Sequence, residues 1–368
     1  MSPGTERRLE VLRFGARDAH PKAYFQASLH ADETPAMLVA NHLAERLRRA
    51  AERGDILGQV VLVPVANPIG LSQFVQGRAL GRFALGGEGN FNRHFPDLGE
   101  AFDESVRRRL GGDAAADTRV LRAAYADALA HLEPVGEVET LRHTLLGLAH
   151  DADIALDLHC DSEALMHLYL GTVAWPGAAD LSAQIGSEAT LLANDSGGDP
   201  FDEALVAPWW RLAEAHPELA IAPACLAGTV ELRGRADVSE TLAASDADNL
   251  YRFLQRRGVL DGDPGELPAP RCEATPLEGV DVIRSPVAGV LVYEALPGAR
   301  VREGEAVAHV VDPLERNFDA ARTELRARCD GLLFTRIAER WVRPGTVVAK
   351  VAGSRPLPER RAGALLSD

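Results

Sequence analysis

The sequence predicts an α/β fold: a three-layer domain on a mixed, mostly parallel sheet, followed by a small all-β unit of barrel-sandwich type. Three observations carry this. Short apolar runs with strand character alternate with segments of helical periodicity up to residue 257, the pattern of a sheet covered by helices on both faces. The run GQVVLVPV at 58–65 is apolar almost throughout, as a strand covered on both faces requires. Beyond a proline- and glycine-rich linker at 261–270 (DGDPGELPAP), only short β-like runs follow.

In chain order, residues 24–29 (YFQASL) read as a strand. Thr34-Pro35 has the form of an N-cap followed by proline at the first helical position. Ala36, Val39, Ala40, Leu43 and Leu47 then recur at helical spacing. The tetrad His30-Ala31-Asp32-Glu33 thus sits on a strand-to-helix loop. A glycine-rich stretch at 77–90 leads into FNRHFPDL. Residues 116–132 and 137–150 read as helices, and 153–159 (DIALDLH) and 165–171 (LMHLYLG) as strands. Residues 178–193 read as a helix, 228–234 (GTVELRG) as a strand and 238–257 as a helix. Sites in such folds gather beyond the carboxyl ends of strands, where the HADE, DLH and TVEL motifs fall.

The expected division is 1–262 for the α/β domain, 271–353 for the β-unit and 354–368 for a tail. The β-unit contains a repeat. Gly289-Val-Leu, Val301-Arg-Glu-Gly304 and Val307-Ala308 recur as Gly331-Leu-Leu, Val342-Arg-Pro-Gly345 and Val348-Ala349, an offset of 41 to 42 residues.

Composition narrows the function. The formal charge of -15 argues against nucleic acid and anionic membranes as partners. No run approaches the roughly 18 apolar residues of a membrane span, and MSPGTERRLE is too polar for a secretory signal. The four cysteines, Cys160, Cys225, Cys272 and Cys329, form no CxxC and no pairing pattern, which favours a cytoplasmic location with free thiols. Lysine occurs only at 22 and 350, so an anionic substrate must be held mainly by arginine.

Two histidines and a carboxylate can hold one zinc ion and leave a coordination position open. His30 and Glu33, three apart on one loop, can point into one cleft. His159 ends a buried-looking strand, where a histidine is costly without a partner. Asp157, on the same strand face, can accept from the far nitrogen of a ligating imidazole. Asn92-Arg93 suits a substrate carboxylate, because the arginine fork binds it bidentately. Arg82, with Arg78 as the alternative, can reach a reacting carbonyl oxygen as oxyanion stabiliser. Glu231 sits in an apolar strand and can serve either as a proton carrier beside a metal or as a buried partner of Arg233 or Arg235. His94 and His167 can line a pocket without ligating.

The ordered set H-x-x-E, N-R, D-L-H and a late strand glutamate, with its flanks ASLHADE, NPIG, NFNRHFP, ALDLH and TVELRG, resembles the succinylglutamate desuccinylase/aspartoacylase family. That family belongs with the zinc carboxypeptidase-like hydrolases, and the similarity spans about residues 20–350. It implies a zinc-carboxypeptidase-like α/β domain, with one zinc on His30, Glu33 and His159 and with Glu231 as general base and acid. It also implies that Asn92 and Arg93 hold an amino-acid carboxylate and that a small N-acyl amino acid is the substrate. The stretch GRFALGGEGNFNRHFPDL looks most like bacterial deacylases of small acylated amines, among them one that deacetylates N-acetyl-diaminobutyrate in ectoine breakdown. Relatives often form homo-oligomers.

Two departures stand out. Where the family has an aspartate orienting a zinc histidine, this chain has Asn90. The acyl-pocket tyrosine of some relatives has no counterpart, Tyr293 being the only C-terminal tyrosine. The repeat also resembles half-barrels of biotinyl and lipoyl carriers, but its turn, Asp312-Pro-Leu-Glu-Arg316, lacks the lysine such carriers modify. The unit is therefore expected to pack against the cleft and narrow it. Two other readings remain open: a carboxypeptidase acting on short peptides, and a non-catalytic relative with a drifted site.

Overall fold

The protein is described by a computed structural model over residues 4–219 and 221–365. Eight strands form the central sheet, in the order Leu12–Gly15, Gln59–Val63, Lys22–Ala27, Ile154–Asp161, Leu226–Gly234, His167–Leu170, Ala189–Leu192 and Ala274–Pro276. Five of the seven pairings are parallel and two antiparallel. The predicted α/β class with a mixed, mostly parallel sheet is the one observed.

Helices cover both faces. One face buries Phe25, Leu62, Leu156 and Leu168 against Leu43, Leu47, Leu250 and Phe253, which lie on the helices Thr34–Arg53 and Glu240–Arg256. The other buries Tyr24, Val61 and Val63 against Leu121, Leu145 and Trp209 of the helices Ala114–Ala130, Gly136–Ala149 and Phe201–Ala215. Asp113 caps the helix Ala114–Ala130 by accepting from the N–H of Ala116, and Ser239 caps Glu240–Arg256 through Leu242.

Two segments differ from the sequence expectation. Residues 178–193 form not one helix but the helix Ala179–Ile185 and the strand Ala189–Leu192. Gly186, at φ +70°, closes the helix in the left-handed conformation. The following Ala-Thr-Leu-Leu then has a parallel partner in His167–Leu170. The helix Phe201–Ala215 is not apparent in the sequence because Pro208 lies inside it. Burial of Phe201, Leu205, Trp209 and Leu212 outweighs the lost backbone hydrogen bond.

The C-terminal region adds two antiparallel sheets around a core of Leu291, Val307, Leu333, Val348 and Val351. The repeats exchange strands. Gly289–Tyr293 of the first pairs with Trp341–Val342 of the second, and Gly331–Arg336 pairs with Arg300–Val301. This unit is fastened just beyond His159. Glu163 and Ala164 pair with Arg336 and Thr335 as a short strand, and the N–H of Leu165 donates to the carbonyl of Phe334. Arg336 and Arg340 both bind the Glu163 carboxylate, at 2.6 and 3.1 Å. Phe334, fully buried, packs with Leu191, Leu277 and Val280 at the seam. Phe334→Ala is expected to cost about 3–5 kcal/mol of unfolding free energy, measured by urea titration. A loss below about 1 kcal/mol would mean that the two parts are joined mainly through polar contacts.

Candidate metal centre

The chain leaves the strand Lys22–Ala27 through Ser28, whose φ is +59°. Ser28 Oγ donates to the carbonyl of Glu33, and Asn67 Nδ2 to that of Leu29, which closes the HADE loop into a fixed turn. The helix begins at Thr34, so Glu33 and not Thr34 occupies the N-cap position. Its carboxylate caps nothing. Instead Oε1 lies 2.9 Å from His30 Nδ1, and Oε2 lies 2.8 Å from His159 Nδ1. The N–H of Cys160 also donates to Oε2 at 3.1 Å. His30, Glu33 and His159 are at most 3% exposed, and their ligand atoms lie within 4.8 Å of one another.

The far nitrogen fixes the tautomer of His30. Asn90 Oδ1 accepts from the N–H of Asn92 at 2.9 Å, so it is the oxygen of that amide. His30 Nε2, 2.8 Å from the same oxygen, must therefore be the N–H donor. His159 Nε2 lies 2.9 Å from Asp157 Oδ2 as an ion pair and 3.4 Å from Asn92 Nδ2. A neutral His30 therefore turns its Nδ1 lone pair to the Glu33 carboxylate, and a neutral His159 carrying its proton on the Nε2 that faces Asp157 does the same. Lone pair against lone pair is unfavourable without a cation or proton between them. The donors thus fit a divalent metal, and a tetrahedral ion with bonds of about 2.0–2.2 Å holds its ligand atoms about 3.5 Å apart. Burial alone would depress His159, but Asp157 and Glu33 override it and raise its pKa well above the ordinary value. Burial and then Arg82 lower His30.

The other sequence-selected residues surround this group. Arg82 Nη1 lies 3.2 Å from His30 Nδ1 and 3.3 Å from Glu33 Oε1. Arg78 is exposed on the neighbouring hairpin. Gly81 lets the Arg82 segment lie on the HADE loop: a Cβ there would stand 2.2 Å from the Asp32 nitrogen. Asn92 Oδ1 accepts from the N–H of Phe201, and Arg93 Nη1 donates to the Asn92 carbonyl. Both residues are buried. Glu231 is the register partner of His159 on the adjacent parallel strand. Its Oε2 is buried without a hydrogen-bond partner among the described residues. Arg233 and Arg235 pair instead with Asp246 and Asp32. Burial, with Glu33 next, pushes the Glu231 carboxyl up to about 8. His94 is exposed, while His167 is fully buried, with Nδ1 on the Leu165 carbonyl.

His30, Arg82, Asn92, Arg93, His159 and Glu231 line one cavity of about 180 Å³, whereas His94 and His167 are not among the residues that line it. Its wall includes residues that no local motif announces: Asp161, Tyr169, Asp202, Glu203, Lys350 and Arg360. Lys350 comes from the β-unit and lies 3.1 Å from Asp161 Oδ2, two residues past His159. That only two lysines occur in the chain is the one available signal. Tyr169 puts a phenol into the wall, while Tyr293 Oη is spent on the backbone carbonyls of Val348 and Ile337.

Fold and site together define an α/β protein with a buried His-Glu-His group at the sheet's strand ends and an antiparallel β-unit set against the cleft. Residues 19–118 match the model of the Succinylglutamate desuccinylase/Aspartoacylase catalytic domain. A succinylglutamate desuccinylase/aspartoacylase family protein of Shewanella amazonensis SB2B is 28% identical, with 94% of this chain and 93% of that one covered and a TM-score of 0.80. A succinylglutamate desuccinylase/aspartoacylase of Shewanella frigidimarina NCIMB 400 shares the fold at 24% identity over 94% and 92% of the two chains, TM-score 0.79. The ectoine utilization protein EutE (DoeB) of Ruegeria pomeroyi, in product-bound form, shares it at 19% identity over 95% and 97%, TM-score 0.63. No match to the sequence is found among curated proteins. The resemblance to the succinylglutamate desuccinylase/aspartoacylase family that the motifs carry is thus shown by the family model and by the shared fold.

Glu203 yields a test of the cavity's electrostatics. Burial, and then Asp202 beside it, push its carboxyl up to about 8, above the roughly 4.3 of an unfolded chain. A folded pKa raised in this way contributes stability that is complete below about pH 4.3 and lost as pH rises through about 8. Glu203→Gln is therefore expected to raise the thermal midpoint by about 2–4 °C at about pH 8.5 and to leave it nearly unchanged at about pH 5, read by calorimetry at both values.

Proposed function

We propose that the protein is a zinc-dependent deacylase that removes the acyl group from a small N-acyl amino acid or related acylated amine. The observation that carries the reading is the convergence of two imidazole Nδ1 atoms on the Glu33 carboxylate, beside a partnerless carboxyl oxygen of Glu231. A zinc ion held by His30, Glu33 and His159 would polarise the amide carbonyl and acidify water. Asn90 and Asp157 orient the two imidazoles through their far nitrogens. Glu231 removes the proton from the attacking water and delivers it to the leaving amine. Its burial suits it to holding that proton between the two transfers. Arg93 and Asn92 hold the substrate carboxylate and so position the amide. Arg82 donates to the developing oxyanion, a contribution of about 3–4 kcal/mol for such a donor.

A cavity of about 180 Å³ supports a small substrate. It weighs against long peptides. The stretch GRFALGGEGNFNRHFPDL keeps acylated diamino acids within the substrate class. Four cysteines without disulfide partners support a cytoplasmic setting.

Two outcomes are expected. The purified protein carries about one zinc per chain, and His159→Ala loses it, as read by metal analysis. Glu231→Gln keeps the metal but lowers kcat by about a hundredfold or more on the best of a panel of N-acetyl, N-succinyl and N-formyl amino acids and diamines, assayed with and without a chelator. Turnover at the parent rate in that variant would remove Glu231 from the mechanism.

A further inference from the structure

The cavity has a wall that neither the catalytic domain nor the β-unit supplies. After the last strand, Val347–Gly353, the chain doubles back across the site. The N–H of Gly363 donates to the Asp195 carbonyl at 3.0 Å, and that of Leu365 to the Ser196 carbonyl at 2.8 Å. Arg360 Nη2 donates to the Leu365 carbonyl at 2.8 Å. Residues 361–364 are exposed, but Leu365 is only 2% exposed. It packs with Leu191, Leu277 and Val280 at the seam and lines the cavity, as does Arg360. This is an anchored segment, not a loose tail.

The loop beneath it is shaped to receive it. Gly197 has φ +97°, and a Cβ there would stand 2.4 Å from the Gly363 carbonyl oxygen. On its other side the same loop lies on Arg93, because a Cβ on Gly198 would stand 2.6 Å from Arg93 Cδ. The carbonyl of Gly198 accepts from the N–H of His94, and the N–H of Ser196 donates to Glu203. One thin loop thus separates the segment Arg360–Leu365 from the arginine assigned to the substrate carboxylate.

We infer that Arg360–Leu365 is a specificity-determining strap. Leu365 sets how long an apolar arm of the substrate the cavity accepts, and the anchors at Asp195 and Ser196 hold the loop behind Arg93. The inference rests on the deacylase reading. Its test uses the full chain and two substrate series, N-acyl chains from acetyl to hexanoyl on one amino acid, and N-acetyl amino acids of increasing side-chain length. Leu365→Ala is expected to raise kcat/KM for the longer members relative to the shortest by about tenfold or more in at least one series. Leu365→Trp should lower the same ratio, and Leu365→Met should restore the parent pattern. Gly197→Ala, which displaces the strap from beneath, should move the ratio in the direction of Leu365→Ala. Thermal unfolding confirms that each variant folds. Ratios within about twofold of the parent in all variants of an active enzyme overturn the strap and leave the deacylase reading standing. A parent inert towards both series overturns the deacylase reading, and with it the strap as a substrate wall.

Discussion

Everything in the site depends on a carboxylate held between two imidazoles. Glu33 stands where a helix ordinarily takes a cap, yet its side chain turns inward to His30 and His159. The helix still favours the negative charge, because its free N–H groups and dipole present positive potential at that end. The arrangement is stable only with a positive charge among the three side chains. In this structure Arg82 lies against them, 3.2 Å from His30 Nδ1 and 3.3 Å from Glu33 Oε1. The two orienting oxygens come from different parts of the chain, Asn90 from the hairpin of Phe83–Ala84 with Gly89–Asn90 and Asp157 from the strand that carries His159. The site therefore needs the hairpin to lie against the strand that carries His159.

The β-unit does more than cover the cleft. It holds the stretch that follows His159 by strand pairing at Glu163–Ala164, by Arg336 and Arg340 on Glu163, and by Lys350 on Asp161. The last pair brings a lysine into a cavity otherwise rich in acid. Asp161 is held well below the usual carboxylate range because Lys350 overrides the cost of burial. The strand end that carries His159 is thereby tied to the β-unit.

The features legible in the sequence are those whose causes are local. His30 and Glu33 lie three apart on one loop, Asp157 and His159 share a strand face by the two-residue period, and a glutamate in Thr-Val-Glu-Leu needs a polar reason. The repeat, with its offset of 41 to 42 residues, corresponds to two interleaved halves. What the sequence leaves unmarked depends on packing between distant segments. Asp161, Tyr169 and Glu203 come from three elements of the α/β domain, Lys350 and Arg360 from beyond residue 346, and nothing in their neighbours marks them. The apolar residues of 178–193 suit either period; only Gly186 and the open edge beside His167–Leu170 decide for a strand. Pro208 conceals a helix whose buried face, and not its propensity, sustains it.

Asn90 gains its meaning from the charges around it. Glu33, Asp157, Asp161, Asp202, Glu203 and Glu231 lie in or against one cavity, with Arg82, Arg93, Lys350 and Arg360 as its cations. Another carboxylate at position 90 would add a negative charge where Glu231 is already pushed up to about 8 by burial and Glu33. The amide oxygen keeps the geometry that orients His30 without that charge, and its identity as an oxygen is fixed by the Asn92 N–H. A neutral acceptor makes the imidazole a weaker donor to metal, whereas the charged Asp157 acts on His159 alone. The two histidines are thus electronically unequal: His159 is held by a carboxylate that raises its basicity, and His30 by an amide that chiefly sets its direction.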